Sequence, residues 1–131
     1  MKNDYLVRAT AMDERVRAFA LDATGVVAEL QRRHAMHPVP TAAVGRTAMG
    51  ALLLAAASLK KEDQTLSIEI RGDGSIGTII CTANGAGEVR GLAGNPHVHA
   101  ESINPGKLNV AGVVGGSGYV SVTKDLGMRD T

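Results

Sequence analysis

Apolar side chains at the start of the chain fall on alternate positions. Tyr5, Val7, Ala9 and Ala11 form one run, Val16, Ala18 and Ala20 a second, and the charged pair Asp13-Glu14 separates them. A period of two is the mark of a strand, so the pattern predicts an antiparallel hairpin with both faces partly covered. The period then changes. Val26, Val27 and Leu30 share a helical stripe behind Thr24, a residue type that caps helices, which predicts a helix from Thr24 to Arg33. The two prolines of HAMHPVP, residues 34–40, break that helix, and Thr41 is the next plausible cap. From Ala42 to Lys60 the chain is rich in Ala and Leu, strong helix formers, and apolar almost all round. A helix without a wide polar face belongs in a core.

Beyond Gln64 the alternation returns. Leu66, Ile68 and Ile70 predict a strand, Gly72-Asp73-Gly74 a turn, Ile76 to Thr82 a returning strand, and Asn84-Gly85 a hairpin leading to Glu88–Leu92. A loop, a glycine-containing apolar run (VAGVVGGSG) and a last strand around Tyr119–Val122 complete the series. Together these elements predict an α+β fold: a twisted, largely antiparallel sheet with two helices packed on it, the second largely buried.

Composition narrows what such a domain can do. The 131 residues suffice for one domain. Lys plus Arg is 14 and Asp plus Glu is 13, and aromatics are only 2% of the chain. A net charge of +1 with so few aromatics argues against a nucleic-acid groove, which needs a cationic track and stacking platforms. A membrane span needs about 18 uncharged residues, but only 13 lie between Arg46 and Lys60, from Thr47 to Leu59. No basic stretch followed by an apolar run opens the chain, so a cytoplasmic location is expected. Small apolar residues and 16 glycines predict a thin stability margin, because each side chain buries little area.

Candidate chemistry is sparse. Gly72, Gly74 and Gly77 match GxGxxG, but Thr78, Ile79 and Ile80 follow, and these β-branched residues favour a strand where a dinucleotide loop needs a helix. His97, His99 and Glu101 would share one face of an extended segment and form a weak metal-ligand set with no fourth member. Cys81 lies inside an apolar strand and reads as a small core residue. Arg32, Arg33 and His34 suit the negative end of a helix dipole. Nothing points to catalysis, and the chain is expected not to be an enzyme.

The whole series nevertheless resembles one family. DYLVRATAMD, VRAFALDAT, QRRH, AAVGRTAMGALLLAAASLK, GDGSIG, NGAGEVRG, NPHVH, GKLNV and GYVSVTKDLG occur in the order and spacing of the N-terminal core of the Hsp33 redox-regulated heat-shock chaperones. The resemblance implies an ATP-independent holdase that binds unfolding proteins under oxidative and heat stress in the cytoplasm, acting as a dimer. It also implies a zinc switch, CxC then CxxC, in a separate C-terminal domain. Cys81 matches none of those cysteines, so residues 1–131 are expected to form a chaperone core incomplete at its C-terminus, with the switch domain and its zinc absent and no cofactor of its own. Expected partners are unfolded or misfolded client proteins and a second copy, with no nucleic acid and no membrane. Client binding needs accessible apolar area, and the candidates are Met49, Leu52, Leu53, Leu54, Val113 and Val114. Two alternatives remain: a small metal- or ligand-binding domain using the His97/His99 loop, and an inert oligomeric fragment.

Overall fold

The computed structural model describes residues 4–128. Strands β1 (Tyr5–Ala11) and β2 (Val16–Asp22) pair antiparallel as a separate two-stranded sheet, with Val7 opposite Ala20 and Ala11 opposite Val16. Helices α1 (Thr24–His34) and α2 (Pro38–Ser58) follow. Strands β3 (Thr65–Gly72), β4 (Thr78–Asn84), β5 (Val89–Ala93) and β6 (Gly118–Asp125) form a four-stranded antiparallel sheet in the order β5-β4-β3-β6, with the short helix α3 (Val110–Val114) before β6.

The core lies between α2 and one face of the larger sheet. Leu66 and Ile68 of β3 and Ile79, Cys81 and Ala83 of β4 point inward and meet Val44, Ala48, Ala51, Leu52 and Ala55 of α2. Small helix residues let the backbone approach the strands closely. At Gly91 of β5 a Cβ would sit 2.6 Å from Cys81 Sγ and 3.3 Å from Val44 Cγ1, so only glycine fits. By length and composition α2 could cross a membrane, yet more than half of its apolar window is buried inside this fold, as in a core helix.

Several elements begin elsewhere than the pattern predicts. Helix α2 starts at Pro38, not after Thr41, because proline suits the first helical turn, where its missing N–H is not needed. Thr24 is the first residue of α1 rather than its cap. The cap position falls on Ala23, which has no side-chain acceptor. Two carboxylates supply the acceptors instead: Asp4 accepts from Gly25 N–H at 3.0 Å and Val26 N–H at 2.7 Å, and Asp22 accepts from Thr24 N–H at 3.1 Å. Strand β4 starts at Thr78 because Ile76 N–H is already committed to the Val113 carbonyl, at 3.0 Å.

Two of the GxGxxG glycines, Gly72 and Gly74, make room for the backbone of α3. A Cβ on Gly74 would lie 2.6 Å from the carbonyl carbons of Val113 and Val114, and Gly74 N–H donates to Val114 O at 3.0 Å. The glycine turn thus seats α3 on the end of the sheet, where Val113 is fully buried.

Candidate functional site: the exposed apolar surface

A protein that binds other chains by apolar contact must leave such surface in water, and the six residues singled out from sequence do so to different degrees. Leu52 and Val113 are buried, Met49, Leu53 and Val114 half-buried, and of the six only Leu54 is exposed. Met49 lines an open cleft of about 340 Å³ with Val27, Gly45 and Leu108 between α1 and α2. Helix α2 therefore spends much of its apolar surface on the core.

The larger uncovered surface is the hairpin. In the β1–β2 register, Val7 faces Ala20, Ala9 faces Ala18 and Ala11 faces Val16, and opposed residues share a face. All six are exposed, with Tyr5 extending the stripe at the base. The expectation that both faces are partly covered is corrected: one face is open along its whole length. The opposite face carries Leu6, Phe19 and Leu21, half-buried, with the Arg17 guanidinium 5.7 Å from the centre of the Phe19 ring. The hairpin is tied to the body at its base, where Asp4 and Asp22 grip the start of α1. At its tip Met12, Asp13 and Glu14 all adopt positive φ, between 54° and 66°. Side chains other than glycine rarely take that conformation.

A second exposed group lies on the outer face of the larger sheet. Ile80 of β4 sits directly opposite Leu92 of β5, and both are exposed. With His34 and Arg90 they line a shallow cavity of about 370 Å³. Around them the face is polar: Ser67 and Thr82 hydroxyls lie 2.8 Å apart, and Glu69 approaches Arg71 at 3.4 Å.

The histidines, the cysteine and the basic cluster singled out from the sequence lie in different surroundings. The His97 and His37 rings lie side by side, centres 4.8 Å apart and tilted by 47°, and among the described residues no three His, Cys, Asp or Glu side chains come together to hold a metal ion. His97, His99 and Glu101 are thus not gathered into a ligand set. Cys81 is fully buried, its Sγ 3.7 Å from the Val44 carbonyl oxygen it donates to, and burial pushes its thiol up to about 12. Arg32 and Arg33 at the end of α1 both bond Glu29, and these hydrogen bonds hold its carboxyl far below the usual range, at about 2. The basic cluster is ion-paired within its own helix.

Residues 4–131 match the family model described as Hsp33 protein. The 33 kDa chaperonin of Bacillus licheniformis is 50% identical over 127 residues, covering 97% of this chain and 43% of the relative. That of Listeria welshimeri is 47% identical over 129 residues, with 98% and 43% covered. The crystal structure of the 33 kDa chaperonin of Thermotoga maritima superimposes with a TM-score of 0.87 at 31% identity, covering 95% of this chain and 42% of that one. The chain spans less than half the length of these relatives. With the family matched from the first described residue onward and the same fold in a solved relative, the chain belongs to the Hsp33 family.

Proposed function

We propose that this chain is a holdase core: it binds unfolding polypeptides without ATP and keeps them from aggregating. The observation that carries the reading is the open face of the hairpin, where Val7, Ala9, Ala11, Val16, Ala18 and Ala20 stand in water with no charge among them. Soluble monomers rarely leave a contiguous apolar surface without a use for it. Small flat side chains on a strand pair suit sequence-tolerant contact, since no shaped pocket selects one partner. The Ile80–Leu92 pair offers a second, smaller contact.

The relatives are named chaperonins, and holding clients under heat and oxidative stress in the cytoplasm, as a homodimer, belongs to the same reading. The zinc switch implied by the family does not fit the residues of this chain. A thiolate set is required, and the chain has one cysteine, buried and un-ionised. Redox control through zinc is therefore not assigned to residues 1–131.

The test is light scattering from a client protein unfolding at elevated temperature. Added at stoichiometric amounts without nucleotide, the chain is expected to suppress the rise in scattering. No suppression at severalfold excess would make it an inert fragment.

A further inference from the structure

His37 and His97 are distant in sequence and meet at the start of α2. His37 occupies the N-cap of that helix, and its side chain makes no capping hydrogen bond. His97 lies in the loop after β5. Backbone joins the two segments: His37 N–H donates to Pro96 O at 2.9 Å, one residue from His97. Each segment is also held from its other side. The Thr41 hydroxyl and N–H donate to the His37 carbonyl at 2.7 Å and 3.0 Å. Asn95 N–H donates to Ile76 O at 3.0 Å, and His97 N–H to Asn95 Oδ1 at 3.2 Å. Pro38 and Pro96 stiffen the backbone next to both histidines.

The ring centres are 4.8 Å apart and the planes are tilted by 47°. Both side chains are exposed, and among the described residues neither ring makes a hydrogen bond. Their nitrogens are therefore available as ligands. A metal–nitrogen bond of about 2.0–2.1 Å puts a ring centre about 3.2 Å from the ion, so two imidazoles about 90–109° apart around it have centres about 4.5–5.2 Å apart. The observed spacing falls within that range.

The geometry points to a two-histidine site for a divalent transition-metal ion, held by His37 and His97 with water in its remaining positions. Imidazole suits nickel, copper and zinc, whereas magnesium and calcium take oxygen ligands. Among the described residues no third His, Cys, Asp or Glu joins the pair, so the ion stays open to solvent and exchanges readily. It sits at the positive end of the α2 dipole, which weakens the hold further. The pair contains no thiolate and is not the zinc switch implied by the family. Its effect is mechanical: a bound ion ties the loop after β5 to the start of the core helix. The site does not depend on client binding, and its failure would leave the holdase reading untouched.

The experiment is calorimetric titration of the whole chain with nickel chloride, which is expected to show one ion per chain at pH 7.5. Binding should weaken at pH 5.5, because a metal takes only the unprotonated imidazole. His37→Ala and His97→Gln should each lower the affinity at least tenfold. Both should keep the far-UV circular dichroism spectrum, since both side chains are exposed. His34→Ala and His99→Ala should bind as the unaltered chain does. Nickel at ten times its dissociation constant should also raise the thermal midpoint by about 5 °C, and that rise should vanish in His37→Ala. No binding, or unchanged binding by His37→Ala, overturns the inference. A loss through His99→Ala as large as that through His37→Ala assigns the ion to the 97–99 segment and overturns the pair.

Discussion

Replacing Gly74 by alanine tests the seating of α3 on the sheet. The new Cβ would collide with backbone, 2.6 Å from two carbonyl carbons, and backbone cannot swing aside as a side-chain tip can. Helix α3 must lift. Lifting breaks the bonds from Gly74 N–H to Val114 O and from Ile76 N–H to Val113 O, both 3.0 Å, at about 1 kcal/mol each. It also lets water reach Val113, which is fully buried. Complete exposure of such a side chain costs about 1.5–3 kcal/mol, and partial exposure roughly half of that. The expected loss is about 3 kcal/mol, a large share of the roughly 5–15 kcal/mol of a typical domain. In urea, with a slope near 1.5 kcal/mol/M, the midpoint should fall by about 2 M. Gly116→Ala is the control: nothing lies within 4 Å of a Cβ there, and surface changes of that kind stay within about 0.5 kcal/mol. A Gly74→Ala loss below about 1 kcal/mol, or one no larger than the control's, refutes the packing role of the glycine turn.

Two further outcomes follow from the same geometry. Asp4→Ala removes the carboxylate that accepts from two N–H groups at the start of α1; it should cost about 1–2 kcal/mol by thermal or urea unfolding, and Asp4→Asn should recover part of that. The Cys81 thiol, raised to about 12 by burial alone, should resist thiol reagents in the native protein and react at once in urea. Because the folded state disfavours the thiolate, this group contributes stability below the ordinary thiol range near 9 that is lost as pH rises towards 12, and unfolding midpoints at pH 7, 9 and 10.5 check the sign.

Much of the fold was legible because local patterns and tertiary packing agree. The alternation at Leu66, Ile68 and Ile70 became the core face of β3, and the Ala/Leu run became the buried helix. Missed features depend on contacts distant in sequence. Asp4 caps a helix twenty-one residues away through Gly25, which no local capping pattern reveals. Val110–Val114 reads as part of an apolar run with glycines until Gly74 is seen to leave room for its carbonyls. The burial of two of the six candidate surface residues was missed for a related reason. Hydropathy marks Leu52 and Val113 as strongly as any exposed residue, and only packing shows that they are buried. The hairpin alternation was visible, but alternation alone does not say whether the apolar face has a partner.

The most direct test of client holding through the hairpin is the aggregation assay repeated with Val7→Lys and Ala18→Lys together. Both side chains lie on the open face, and neither is buried, so the fold should survive. The account predicts that this variant keeps its circular dichroism spectrum and unfolding midpoint but loses most of its ability to suppress client scattering. Full suppression by a correctly folded double-lysine variant would contradict it.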